Sequence, residues 1–110
     1  MVGRAVAGFE IWLIRLDSAQ GSELRKTRPV VVVSPDEMNA AIRTVVVCPL
    51  TSTRRNWPTR IAVDFDKRAG DVALDQIHAV DQSRLVRRLG ALTQEEAVKV
   101  SDKLQAMFAW

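Results

Sequence analysis

Two blocks of valine constrain this chain most: PVVVV at residues 29–33 and VVVCPL at residues 45–50. Uninterrupted β-branched runs of this length read as strands buried in a sheet, because no alternate position is surrendered to water. The first block is entered through LRKTR, so Arg25, Lys26 and Arg28 stand against the driest stretch of the chain. A guanidinium at that place reaches either for water or for an anion. Pro29 has no amide hydrogen and suits the first position of a strand. The strand is therefore expected over 29–34, with Arg28 on its lip.

At 110 residues the chain fits a single domain, 1–110, with one core. Its hydrophobic share of 47% argues against a disordered chain. No apolar run approaches the ~20 residues that span a bilayer. Glu10 and Arg15 interrupt the N-terminal run, so no signal peptide is read and a cytoplasmic protein without membrane contact is expected. Cys48 is the only cysteine and His78 the only histidine. That excludes an internal disulfide, a thiolate metal cluster, a His-based metal site and a two-histidine acid/base pair, and no metal or cofactor is expected. Cys48 itself reads as a small buried hydrophobe. The net charge of +3 favours an anionic partner only weakly.

Strands are expected over 9–16, 29–34, 43–50 and 59–65, then one or two over 72–80 and a short one near 84–92. A polar loop over 17–27 and another over 51–58 separate them, and a turn is placed at Gly70. SPDEMNAAI reads as a short helix, with Ser34 as its cap and Glu37 completing a capping box. The last segment is the clearest helix: Thr93 and Glu96 form a capping box, and Ala97, Val100, Leu104 and Met107 or Phe108 share a face. Short strands followed by one helix argue for a mostly β, α+β fold, a small twisted sheet or partly open barrel with a helix packed on it.

Polar segments at the ends of rigid strands are where sites are built. Three qualify: Ser22 to Arg28, Thr51 to Asn56, and Asp75 with Gln76. A phosphate would find a planar fork of donors in Arg28, hydroxyls in Thr51 and Ser52, and further charge in Arg54 and Arg55. Trp57 reads equally well as a stacking surface for a nucleobase or as a hydrophobic plug beside Pro58. Glu23 and Asp75 are the carboxylates placed to orient donors or accept a proton, and either reads as an arginine's structural partner too. Arg84, Arg87 and Arg88 read as a solvated charged face.

Taken in order, EIWLIRLD, GSE, KTRPVVVVSP, VVVCPLTST and GDVALDQIHAVDQSRL resemble the MazF/PemK (Kid) family of toxin endoribonucleases, in its PemK-like branch. The resemblance runs from about Phe9 to Gly90. It implies an SH3-like β-barrel with a C-terminal helix, acting as a homodimer. The implied activity is metal-independent, sequence-specific cleavage of single-stranded RNA, which inhibits translation and growth. A cognate antitoxin with an acidic C-terminal tail is the implied inhibitor, with DNA met only indirectly through it. The family's arginine and threonine map onto Arg28 and Thr51, its GSE onto Ser22 and Glu23, and the aspartate used in one branch onto Asp75. Lys26, Thr27, Ser52, Thr53, Arg54, Arg55, Gln76 and His78 fall on the implied RNA surface. Three places depart from the pattern: Ala73 replaces the arginine that precedes the aspartate in that branch, His78 stands where an arginine is usual, and LDSAQG stands where LDPT.G is common. The rival readings are a non-cleaving CcdB-like toxin and an RNA-binding relative whose site has decayed.

Without metal or paired histidines, RNA is cut most simply by its own 2′-OH. The protein then holds the in-line geometry and stabilises the charge on phosphorus. Arg28 is expected on the scissile phosphate, Thr51 and Ser52 as further donors, and Glu23 or Asp75 as the base.

Overall fold

The computed structural model describes residues 5–16 and 26–109. Seven strands and two helices follow one another: β1 (Glu10–Arg15), β2 (Thr27–Val32), α1 (Asp36–Ala41), β3 (Thr44–Thr51), β4 (Arg60–Phe65), β5 (Arg68–Ala73), β6 (His78–Asp81), β7 (Leu85–Ala91) and α2 (Gln94–Phe108). Single 3₁₀ turns at Leu74–Gln76 and Gln82–Arg84 flank β6. The strands make one antiparallel sheet in the order β4-β5-β3-β2-β1-β7, with β6 paired to β3. The mostly β architecture closed by a C-terminal helix is as the sequence led us to expect. None of the described helices is long and apolar enough to cross a membrane.

Both valine blocks lie at the centre of this sheet, and the period-2 alternation of strands divides them between two cores. Val30 and Val32 join Trp12, Ile14, Val45 and Val47 on one side. Val31 and Cys48 join Ile11, Val63, Val72 and Val100 on the other, where Ala97, Leu104 and Met107 of α2 pack. The capping box of α2 is formed, with Glu96 N–H donating to the Thr93 hydroxyl and Thr93 N–H to the Glu96 carboxylate. Met107 is the residue that turns inward, while Phe108 is exposed.

Two prolines sit inside central strands, which the lost donor normally forbids. The ladder explains both. Val33 N–H donates to the Val46 carbonyl, so in the alternating antiparallel pattern Val31 and Cys48 form the next bonded pair and Pro29 would form the one after, with Leu50. Pro29 has no proton to offer there, and the β2–β3 ladder stops at Val30↔Pro49. On its other edge β2 continues to Thr27↔Arg15. Pro49 turns its nitrogen the opposite way, between the β6 partner of Val47 and the β5 partner of Leu50, where no bond is required.

Three local expectations are corrected. Strand β2 begins at Thr27 and ends at Val32, so Arg28 lies within it and is paired with Ile14. Ser34 does not cap α1: its hydroxyl donates to Asn39 Oδ1 at 2.5 Å and accepts from Val46 N–H at 3.0 Å, and Pro35 occupies the cap position. The burial of Ser34 and Asn39 demands these partners, and that demand overrides the capping pattern. The β4–β5 turn is made by Asp66 and Lys67, at φ 56° and 65°, and not at Gly70. Aspartate tolerates that left-handed conformation, and paired positive φ values match the twist of a two-residue hairpin.

Candidate functional site

Two polar residues stand just past the end of the β2–β3 ladder, Arg28 on β2 and Thr51 on β3. Carried two steps past Val30↔Pro49, the register sets Arg28 opposite Thr51. Both share the parity of Val30 and Val47, so both lie on the same side of the sheet. Arg28 is exposed and Thr51 half-buried. Thr51 pairs onward with Asp71 of β5; two residues inward Val30 pairs with Pro49, and across the neighbouring ladder Ala73 of β5 pairs with Arg60 of β4. His78 pairs with Val47 one further step along, again on that side. Arg28, Thr51 and His78 thus fall on a single face.

Three devices hold Thr51 and the loop after it. A β-carbon on Gly70 would run into the Thr51 carbonyl, so only glycine allows β5 to approach this closely. Asp71, 2% exposed, accepts from Arg55 N–H at 2.8 Å. Arg54 donates to the carbonyls of Gly70 (3.2 Å) and Val63 (3.0 Å), with Asp71 and Asp64 within 4 Å. Arg54, expected as a phosphate contact, thus ties the loop to carbonyls of the β4–β5 hairpin while its side chain stays half-exposed. The Thr51 hydroxyl donates to the Thr53 carbonyl at 2.8 Å, which leaves its lone pairs outward; to donate to a phosphate it must turn. Ser52 and Thr53 are exposed, as are Lys26 and Thr27 on the other side of Arg28.

Asp75 takes the second of the two readings offered by the sequence, that of an arginine's partner. Arg60 grips its two oxygens at 2.8 and 3.2 Å, and the Thr59 hydroxyl donates to one of them at 3.0 Å. The Arg60 hydrogen bond lowers the Asp75 carboxyl below its ordinary range; burial opposes this and Thr59 adds to it. A carboxylate so held is a poor proton acceptor. The Arg60 side chain is only 5% exposed, and its backbone stands opposite Ala73. A guanidinium thus reaches Asp75 from the neighbouring strand at the place where position 73 carries none. The sequence reading missed Arg60 and Asp71. Parity along 60–65 sets Arg60 on the polar side of β4, but nothing local shows which strand lies beside it.

Gln76 and His78 are both exposed, and the Gln76 carbonyl lies 2.9 Å from His78 Nδ1. A carbonyl only accepts, so His78 Nδ1 is the donor in that bond. Arg55 and Arg60 both approach the Trp57 ring, at 5.3 and 4.5 Å from its centroid. Ser22 and Glu23 lie outside the described residues.

The model of a family described as PemK-like, MazF-like toxin of type II toxin-antitoxin system matches residues 8–108. Endoribonuclease MazF of Staphylococcus epidermidis is 30% identical over 101 residues, 86% of this chain and 84% of that one. Endoribonuclease MazF9 of Mycobacterium tuberculosis is 30% identical over 106 residues, 87% of this chain and 90% of that one. Among solved structures, an endoribonuclease in complex with its cognate antitoxin, from a mycobacterial species, superposes with a TM-score of 0.81 at 25% identity, covering 96% of this chain and 99% of that one.

Proposed function

We propose that this chain, which belongs to the family of PemK-like, MazF-like toxins of type II toxin–antitoxin systems, is an endoribonuclease that cleaves single-stranded RNA through its own 2′-OH. The observation that carries the reading is that Arg28 and Thr51 share a side of the sheet just past the point where the β2–β3 ladder ends. Neither is held by that ladder, and both stand on strands that the double core makes rigid.

The 2′-oxygen forms a bond to phosphorus while the bond to the 5′-oxygen breaks, giving a 2′,3′-cyclic phosphate and a 5′-OH. The 2′ proton goes to a base, and the leaving 5′-oxygen takes its proton from solvent water. Arg28 sits on the scissile phosphate and meets the charge that grows there; its guanidinium is too basic to serve as the base. Thr51 turns its hydroxyl from the Thr53 carbonyl to a phosphate oxygen, and Ser52 stands beside it. With Asp75 bound by Arg60 and Thr59, Glu23 becomes the preferred base. The His78, Lys26, Thr27 and Arg55 side chains border the path of the strand. The two named MazF relatives are endoribonucleases, and the structural relative was solved with its cognate antitoxin. By the same likeness this chain works in the cytoplasm as a homodimer, silenced by an antitoxin whose acidic tail covers the cationic face.

The test is cleavage of a long single-stranded RNA in EDTA by wild type and Arg28→Ala. Wild type is expected to cut at short defined motifs and leave cyclic-phosphate ends. The variant should fold normally and lose at least about a hundredfold in rate. Undiminished cleavage by Arg28→Ala overturns the assignment. No cleavage by wild type, with inhibition of DNA supercoiling instead, identifies a non-cleaving toxin.

A further inference from the structure

Trp57 is 48% exposed and belongs to neither core cluster. It is therefore no plug. An indole left in water costs hydrophobic free energy, and here the surrounding structure holds it there rigidly. The Trp57 carbonyl accepts from Arg60 N–H at 3.1 Å, closing a four-residue turn with Pro58 at the position proline favours. The next residue, Thr59, ties that turn down twice: its carbonyl accepts from Leu74 N–H and its hydroxyl donates to Asp75. The Arg60 guanidinium, fixed by its fork on Asp75, lies 4.5 Å from the indole centroid. The Arg55 guanidinium approaches at 5.3 Å from an exposed residue.

The geometry points to Trp57 as a stacking platform for one nucleobase of the single-stranded RNA, on the turn that leads into β4. The inference rests on the RNA-cleaving function proposed above and adds a subsite to it. An aromatic face takes any base, because every base has a π surface. The cation on the indole raises its attraction for electron-rich rings and for the phosphates to either side. Arg55, the looser of the two cations, is the one a base would displace. Asp75 acts here as a positioning residue: through Arg60 and Thr59 it fixes the height and tilt of the indole.

The test begins with an RNA oligonucleotide spanning a site that wild type cuts, and a series in which one position at a time is made abasic. Trp57→Ala is expected to raise KM for the intact oligonucleotide about tenfold. At one position the abasic change should raise the wild-type KM by a similar factor yet add nothing to the variant. Trp57→Phe, which keeps a ring on the same turn, should remain within about threefold of wild type. Binding of a 2′-O-methyl version of the oligonucleotide should quench tryptophan fluorescence in wild type and not in Trp57→Phe, a readout that stands even should Trp57→Ala fold poorly. Wild-type protein that cleaves no RNA overturns the parent reading and this one with it. A wild type that cleaves, while the abasic and Trp57→Ala effects multiply at every position or no Trp57 quenching is seen, overturns the platform alone.

Discussion

The carbonyl oxygen of Thr51 fills the space in which a β-carbon on Gly70 would stand. The neighbour is backbone, so no rotamer change relieves the collision; β3 or β5 has to shift. Gly70→Ala is therefore expected to lower stability by about 1–3 kcal/mol, read from urea unfolding. Cleavage should suffer more than stability, by about a hundredfold, because a displacement of that size moves Thr51 relative to Arg28. A Gly70→Ala protein as active as wild type would show that the position of Thr51 does not matter to the reaction.

Asp75 gives a sharper contrast between two roles. As a proton acceptor it would set the acid limb of the pH–rate profile, and Asp75→Asn would abolish that limb. With its carboxyl lowered by the Arg60 hydrogen bond, it is already ionised well below the pH at which a useful base titrates. Asp75→Asn is expected to leave the acid limb where it is and reduce kcat/KM by about tenfold, as Arg60, Thr59 and the Trp57 turn loosen. Measuring kcat/KM against pH for both proteins decides it. Disappearance of the limb would return Asp75 to the chemistry.

These cases also mark what could be read from residues alone. The valine blocks announced two buried strands, and Thr93 with Glu96 announced the start of α2, because each signal is complete within a few neighbouring residues. Arg28 and Thr51 were found as polar residues at the ends of such strands. What escaped notice depends on register. Arg60 reaches Asp75 only because Arg60 pairs with Ala73, and Asp71 is buried only because β5 lies beside Thr51. Position-specific rules also failed where a tertiary partner outbid them. Ser34 serves Asn39 and Val46 instead of capping a helix, and the hairpin turns on Asp66 and Lys67 although a glycine stands nearby.

Acid should act on the structure through Asp81. Its carboxyl is lowered from 3.8 to about 2 by Ser83, through hydroxyl and backbone N–H, and then by Arg43. A carboxyl depressed in the folded state contributes stability that is complete above its unfolded value and is lost as pH falls through the folded one. The loss attributable to Asp81 thus falls between about pH 4 and pH 2. Asp81→Asn should be less stable than wild type near neutral pH and show a flatter decline across that interval. Urea midpoints at several acid pH values check this, and parallel declines in the two proteins would remove Asp81 from the account.

Cys48 offers a reporter of the sheet itself. It is the only cysteine, fully buried, and paired with Val31 at the centre of the β2–β3 ladder. Burial, with the charge of Asp75 adding to it, pushes its thiol up to about 12. Thiol reagents need a thiolate they can touch, and the folded protein offers neither access nor ionisation. Labelling must therefore wait for an opening that parts β2 from β3. Because both valine blocks and both cores meet at that ladder, the opening should be the global one. The free energy derived from labelling rates at mildly alkaline pH should equal that from denaturant unfolding, within the roughly 10–15% uncertainty of extrapolation. Labelling much faster than global unfolding allows would mean that the centre of the sheet opens by itself, and that the site built on its rim is less rigid than the valines suggest.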